Sequence, residues 1–151
     1  YTTLFRSVQT YIPEQSVTPT WLVIDDLLGD NTKEEEMEVQ RWFTKKSHHR
    51  NTSVFYLTQN LFAQSPQHRT ISLNAHYLVL FKNPRDASQV DSLARQVFPT
   101  QIPFLREAYE DATRRPYSYL FLDLKPTTDQ NHRVRAHLFQ DPTVLYVPKN
   151  A

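Results

Sequence analysis

The sequence predicts an α/β domain with a mainly parallel sheet, and two observations support that fold class. Largely apolar runs, each bounded by polar residues, have the pattern of strands buried on both faces: residues 21–24 (WLVI), 53–58 (SVFYLT) and 76–81 (HYLVLF). Segments with helical periodicity alternate with these runs, as they do in α/β domains. With 151 residues and a hydrophobic content of 39%, the chain is long enough for one packed domain.

The first helix is predicted in KEEEMEVQRWFTKK, residues 33–46. Val39, Trp42 and Phe43 fall at i, i+3 and i+4, which places them on one helix face. Glutamates crowd the first turn and lysines the last, and this distribution complements the helix dipole. The next residues, 47–51 (SHHRN), are predicted to be a loop that leads into the second strand.

A connector at residues 59–75 leads to the strand at residues 76–81, and two more helices and three more strands are predicted after that strand. One helix begins at Asp86, has Gln89 at the capping-box position and ends before Pro99. The next runs from about residue 103 to 114. The remaining predicted strands, the last two as an antiparallel extension of the sheet, are residues 117–124, 133–139 and 144–147.

Composition excludes several classes of protein. The chain has no cysteine, which rules out disulfides and thiolate metal sites and fits an intracellular rather than a secreted protein. No apolar run approaches the ~20 residues of a membrane span, and none has the form of a secretory h-region. The formal net charge is +1, so any surface that binds nucleic acid must be local. Gly29 is the single glycine, so these residues contain no glycine-rich phosphate loop.

Polar residues at the ends of the first two strands are the first candidates for chemistry. Asp25 and Asp26 follow residues 21–24 and have the form of a Walker B segment. One carboxylate there can hold Mg²⁺ against nucleotide phosphates, and a second can activate a water. Gln59 follows the second strand and, if the two strands are neighbours, lies at the same edge as the carboxylates. The ordinary alternative for each residue is a solvated strand end.

Basic residues near strand ends are the second set of candidates. Arg50 precedes the second strand, so it lies roughly 20 Å from Gln59 at ~3.3 Å per residue. A catalytic Arg50 would have to reach a neighbouring subunit, as an arginine finger supplied in trans does; otherwise it is a solvated loop arginine. Lys82 and Arg85 follow the third strand, so we expect them at the same edge of the sheet as Asp25. They are candidates for contact with phosphate or DNA, or ordinary surface cations.

Histidines and a basic stripe give weaker signals. His48 and His49 are adjacent but have no third ligand nearby, so they are poor evidence for a metal site. Arg133, Arg135 and His137 alternate with apolar residues and share one face of a predicted strand. Such a stripe could track a DNA backbone, although the solvated face of an edge strand is the more ordinary interpretation.

Several segments together resemble the packaging-type ATPases of the FtsK–HerA superfamily, above all those of Maverick/Polinton elements and related large DNA viruses. The similarity runs from about Trp21 to Lys149, so residues 21–149 are expected to be the C-terminal part of such an ATPase domain. The segments that carry it are WLVIDDLLGD, FTKKSHHRNTSVFYLTQNLF, TISLNAHYLVLFKNPRD, LARQVFP, EDATRRPYSYLFLDLKP and VLYVPK.

The resemblance implies a partial RecA-like P-loop NTPase core with a mainly parallel sheet and a C-terminal strand extension. It implies a homo-oligomeric ring that hydrolyses ATP with Mg²⁺ between subunits and moves double-stranded DNA into a capsid. Viral capsid proteins are then partners, and the location is a capsid assembly site in the nucleus or cytoplasm. By this resemblance Asp25 is the Mg²⁺ ligand, Asp26 activates water, Gln59 is a sensor and Arg50 acts in trans.

The family's Walker A loop is missing. It lies upstream of Walker B in these ATPases, and none of the residues before Trp21 can form it. We therefore expect the chain alone to hydrolyse no ATP and to bind neither ATP nor Mg²⁺ tightly. Residues 1–7 (YTTLFRS) can be read from TAC-ACG-ACG-CTC-TTC-CGA-TCT, which is similar to the end of a sequencing adapter. We expect an artefact there, fused to a truncated reading frame and followed by a polar lead-in at residues 8–20.

Two other classes of function stay open. A non-catalytic or domesticated interaction module could retain the ATPase sheet for protein contacts. A metal-dependent nuclease could use Asp25 and Asp26, but the chain lacks the further clustered acids that two-metal chemistry needs. A truncated parallel sheet should also expose an apolar edge, so aggregation or dependence on a partner is expected.

Overall fold

The computed structural model describes residues 2–5, 18–25, 33–61, 65–85, 88–139 and 142–149. It confirms the α/β fold class, with helices and two sheets of three and four strands. The chain divides into two compact units, Tyr1–Ala75 and His76–Ala151, each with one sheet. Within the described ranges, no helix combines the length and the apolar character that crossing a membrane requires.

The first unit holds a parallel sheet in the order β1-β2-β3. Its strands are Thr2–Phe5, Thr20–Asp25 and Thr52–Leu57. The parallel pairing of β2 with β3 is the arrangement that their apolar runs predict, and Asp25 lies opposite Leu57. β1 falls within residues 1–7, but backbone pairing does not bear on the origin of their codons, so the adapter interpretation stays a prediction.

One continuous helical segment connects β2 to β3. It consists of α1 (Lys33–Arg41), a π-helical turn (Trp42–Lys46) and α2 (Ser47–His49). The Ser47 amide donates to the Trp42 carbonyl, five residues earlier, so the helix widens there instead of ending. The prediction of a loop at residues 47–51 is therefore wrong as far as His49.

A helix that the sequence does not predict, α3 (Pro66–Asn74), occupies part of the expected connector. The Ser65 hydroxyl oxygen accepts a hydrogen bond from the His68 amide at 3.1 Å, and Pro66 opens the first turn. His68 is buried, and its Nε2 lies 3.3 Å from the Tyr56 hydroxyl. This contact ties α3 to β3.

The core of the first unit lies on one face of its sheet. It is built from buried side chains of β2, α1, the π-helical turn and α3, namely Leu22, Ile24, Val39, Trp42 and Ile71. Successive side chains of a strand alternate between faces, so the intervening residues point the other way. There Trp21, Phe55 and Leu57 remain 55%, 45% and 49% exposed, and the rings of Trp21 and Phe55 are 5.7 Å apart. We call these three residues the open face.

The second unit holds an antiparallel sheet in the order β4-β5-β6-β7. Its strands are Tyr77–Phe81, Tyr119–Asp123, Val134–Ala136 and Val144–Tyr146, and α4 (Ser88–Val97) and α5 (Ile102–Ala112) lie between the first two. The antiparallel pairing of the last two strands is confirmed. The expectation that residues 76–81 form a third strand of one mainly parallel sheet is wrong.

A helical hairpin explains the reversal. The rings of Phe98 and Phe104 are 5.2 Å apart, and Arg106 donates to both carboxylate oxygens of Asp91, at 2.9 and 2.7 Å. The end of α4 thus contacts the start of α5, and the first turn of α4 contacts the middle of α5, so the helices run antiparallel. After a strand, a single crossover helix brings the chain back to its starting end, so the next strand runs parallel to the first. A second helix reverses the direction of the chain again, so the next strand runs antiparallel. β5 therefore enters antiparallel to β4.

Candidate functional site

The carboxyl edge of the β2–β3 pair brings Asp25 close to the turn that carries Gln59. Asp25 ends β2 directly opposite Leu57, the last residue of β3, and paired strands lie about 5 Å apart. Gln59 follows two residues later and is exposed. The condition that the sequence leaves open, that the two strands are neighbours, is therefore met.

A hydroxyl-based turn presents Gln59. The Thr58 hydroxyl donates to the Asn60 carbonyl, and the Asn60 amide donates back to the Thr58 oxygen, both at 3.2 Å. These bonds close the backbone around Gln59 directly after the strand ends. The side chain thus emerges at the carboxyl edge of the sheet, two residues beyond Leu57, which faces Asp25.

Asp25 belongs to the open side of the sheet. Leu22 and Ile24 point into the core, so the alternation of the strand puts Asp25 on the side of Trp21. One carboxylate with neighbouring water and phosphate oxygens is a normal environment for Mg²⁺. Asp26 lies outside the described residues. In the part of the chain that the structure covers, no three His, Asp or Glu side chains form a group that could hold a metal ion.

Arg50 lies at the other end of β3, as the sequence predicts. Its amide donates to the Ser47 carbonyl at 3.3 Å, and its carbonyl accepts from the Thr52 hydroxyl at 3.0 Å. The guanidinium carbon lies 5.5 Å from the centre of the Trp42 ring, and Lys46 Nζ lies 5.3 Å from the same centre. Trp42 thereby holds Arg50 by a cation–π contact at the edge opposite Asp25.

Lys82 and Arg85 do not follow a strand of the parallel sheet, so the expectation that they share its edge with Asp25 is wrong. They belong to the second unit, where Lys82 directly follows β4. Tyr109 fixes this segment, because its hydroxyl donates to the Phe81 carbonyl at 3.1 Å and accepts from the Asn83 amide at 2.8 Å. Both cations are exposed.

The basic stripe is not a free DNA-tracking face. β6 lies between β5 and β7, so it is not an edge strand of the described sheet. Arg133 donates from Nη1 to the carbonyls of Asp123 and Lys125, both at 3.0 Å. Arg135 Nη2 lies 3.6 Å from the Asp123 carboxylate, which is itself buried. These two arginines hold the connection after β5 in place.

Sequence reasoning misses a basic depression in the second unit. A cavity of about 290 Å³ lies between Lys82 and the turn that joins α5 to β5, where Arg114, Arg115 and Tyr117 line it. The available signal was RRPY at the end of a predicted helix: two adjacent arginines, then a proline and an aromatic residue in a turn. That segment contributes to the family resemblance, but sequence alone does not place it beside Lys82.

Comparison with family models, curated proteins and solved structures finds no match to this chain.

Proposed function

We propose that the chain is part of a DNA-packaging ATPase of the FtsK–HerA type, a ring-forming motor that couples ATP hydrolysis to translocation of double-stranded DNA. In this proposal the three-stranded sheet belongs to a RecA-like core that binds ATP and Mg²⁺ at its carboxyl edge. Viral capsid proteins dock the ring at an intracellular assembly site, and Lys82 and Arg85 supply charge for DNA phosphates.

The parallel register of β2 and β3 carries this proposal. It puts a carboxylate, Asp25, and a carboxamide, Gln59, at one carboxyl edge of a sheet, where α/β proteins bind ligands. Mg²⁺ on the carboxylate and a water held by the carboxamide are two of the elements that phosphoryl transfer requires. Asp26 is proposed as the group that activates this water.

The position of Arg50 supports the ring. A subunit with hydrolytic groups at one edge of its sheet and an arginine at the opposite end cannot bring them together by itself. Head-to-tail packing does so, because it places one subunit's arginine end beside the next subunit's nucleotide edge. The 151 residues include no phosphate-binding loop, so we propose that this chain alone is inactive.

The first test is the genomic sequence upstream of the codon for Val8. We expect an in-frame strand followed by G-x-x-x-x-G-K-[ST]. The extended protein should then hydrolyse ATP with Mg²⁺, and Asp25→Asn, Asp26→Asn and Arg50→Ala should each abolish most of that activity, Arg50→Ala by roughly 10³-fold or more.

Mixing two inactive variants tests the action of Arg50 in trans. If Arg50 serves the neighbouring site, rings of Asp26→Asn and Arg50→Ala subunits contain about one intact interface in four when the two are mixed equally. ATPase activity should therefore return on mixing. An arginine that acts in its own subunit leaves every site defective, and no activity returns.

A non-catalytic interaction module is the second candidate, and the open face favours it. Trp21, Phe55 and Leu57 expose about half of their surfaces on one side of a parallel sheet, where such sheets are normally covered. A native start codon close upstream, without a phosphate-binding loop, would select this candidate and exclude the ATPase.

A further inference from the structure

The depression beside Lys82 combines cationic and aromatic groups in the second unit. Its volume is about 290 Å³, and one wall is the end of β4, with Phe81 and Lys82. The other wall is the turn between α5 and β5, residues 113–118, with Arg114, Arg115 and Tyr117. Three cations and two aromatic residues therefore line one small concave surface.

Two of these cations have no acidic partner in the part of the chain that the structure describes. Arg114 Nη2 pairs with Asp111 Oδ1 at 2.9 Å, and Asp111 also accepts a hydrogen bond from the Tyr146 hydroxyl. Neither Lys82 nor Arg115 is in any of the described ion pairs. The depression thus keeps two positive charges available for an anionic ligand.

Tyr117 is presented to solvent by an unfavourable backbone. It is 96% exposed and has a φ of 62°, a region that bulky side chains disfavour. Ser118 maintains the turn, because its amide and its hydroxyl both donate to the Arg115 carbonyl, at 3.3 and 2.6 Å. Strained residues of this kind concentrate at functional sites, and a ring so exposed contributes little to the packing of its own unit.

Hydrogen bonds also fix the wall of the depression that the end of β4 forms. Tyr109 ties the Phe81 carbonyl and the Asn83 amide to α5, so the backbone on both sides of Lys82 is fixed. Thr113 is the C-cap residue of the same helix, and its hydroxyl donates to the Tyr109 carbonyl at 2.7 Å. Lys82 and the arginine turn therefore keep their spacing without a ligand.

Cations beside an exposed ring are the groups with which proteins bind single strands of nucleic acid. Arginine and lysine hold the phosphates, and the aromatic face stacks on an unpaired base. We propose that this depression binds a single strand of nucleic acid, with its phosphates on Lys82 and Arg115 and a base on Tyr117. The inference rests on the proposed function in its assignment of Lys82 to DNA phosphate, and extends it to an unpaired strand.

Fluorescence anisotropy with a labelled oligothymidylate tests this proposal on the 151-residue chain. A length of about 12 nucleotides lies within the ~4–16 nucleotides that surfaces of this kind cover. Two phosphate contacts predict a slope of about −1.4 for the logarithm of the association constant against that of the salt concentration. Arg115→Gln should weaken binding about tenfold and reduce the magnitude of this slope by about 0.7. Arg95→Gln removes an equal charge from the exposed face of α4 and should leave binding unchanged.

Two substitutions of Tyr117 separate stacking from charge. Tyr117→Asn suits the positive φ but lacks the ring, so affinity should fall by about tenfold with the salt slope unchanged. Tyr117→Phe keeps the ring and should bind as the wild type does. Circular dichroism verifies that each variant is folded.

Several outcomes would overturn the inference. One is no binding at low salt, and another is an equal loss with Arg95→Gln. A third is a duplex of the same length that binds equally well and ignores Tyr117→Asn, which indicates charge alone. Displacement of the oligonucleotide by AMP at equal nucleotide concentration would identify a free-nucleotide site instead. If the genomic sequence upstream of Val8 encodes no phosphate-binding loop, the ATPase proposal is refuted, but the prediction for oligonucleotide binding does not change.

Discussion

We predict that the chain associates with itself through the open face, and the exposed area of that face allows the strength of this association to be calculated. Trp21, Phe55 and Leu57 expose about half of their surfaces on the side of the sheet away from the core. At about 200 Å² for each side chain, the exposed apolar area is ~300 Å². A patch of that size is at the lower end of the ~300–600 Å² that the largest apolar patch on a monomeric protein covers, and such patches are often functional.

The size of the patch sets the strength of association. Covering ~300 Å² on each of two copies at ~25 cal/mol per Å² contributes about 15 kcal/mol. Association costs roughly 4–15 kcal/mol in lost freedom, so the net free energy ranges from near zero to about 11 kcal/mol. These free energies correspond to dissociation constants from roughly molar down to about 10 nM. We therefore expect the chain to associate with itself as its concentration rises.

Two threonine substitutions remove most of the patch without disturbing the sheet. Trp21→Thr with Phe55→Thr eliminates the two aromatic rings, and threonine has high β-propensity. The double variant should sediment as a monomer from about 1 μM to about 1 mM, concentrations in the middle of the range of dissociation constants that the patch area allows. Leu73→Gln, which alters a 67% exposed leucine on α3, is the control and should associate like the wild type. A wild-type chain that stays monomeric throughout, or a double variant that still associates, refutes the reasoning.

Two further predictions concern the second unit. Tyr109→Phe leaves the Asn83 amide and the Phe81 carbonyl without their hydroxyl partner. The free energy of unfolding, measured by urea titration, should therefore fall by about 1–3 kcal/mol. A loss below about 0.5 kcal/mol, roughly the error of such a titration, would contradict a stabilising role for these two hydrogen bonds. Burial, then the hydrogen bond to Asp111, raises the pKa of Tyr146 above its ordinary value of 10.0. The protonated phenol is thus favoured in the folded state, and stability should be complete below pH 10 and fall as the pH rises above it. Tyr146→Phe should flatten that fall, and an identical alkaline decline in both proteins would exclude Tyr146 as its source.

Much of the first unit can be predicted from the sequence, because the patterns that determine its strands are local. The runs at β2 and β3 fix two strands, and a single helical segment between them favours a parallel pair. The edge that Asp25 and Gln59 share then follows from where each run ends. The periodicity does not predict α3, because Ile71 and Leu73 are its only large apolar residues, although Ser65 and Pro66 have the pattern of a helix start.

The second unit shows what local signals cannot supply. The run HYLVLF predicts a strand but not its direction, which depends on the number of helices that precede the next strand. Lys82 lines the same depression as Arg115 and Tyr117 only because α5 returns the chain to the end of β4. This juxtaposition depends on the topology of the whole unit, so the basic depression could not be predicted from RRPY alone.

The strongest disagreement between sequence and structure lies in the two faces of the strands. Runs such as SVFYL are apolar at both even and odd positions, a pattern that only strands covered on both sides require. In the structure, Leu22 and Ile24 are buried whereas Trp21 and Phe55 are about half exposed. Apolar side chains on the open face contribute little to the stability of a half-covered sheet and lower its solubility. This pattern is typical of a sheet that has a further layer on this face. Both candidate functions need such a layer, since a RecA-like core has helices on both faces of its sheet and an interaction module uses that face for its partner.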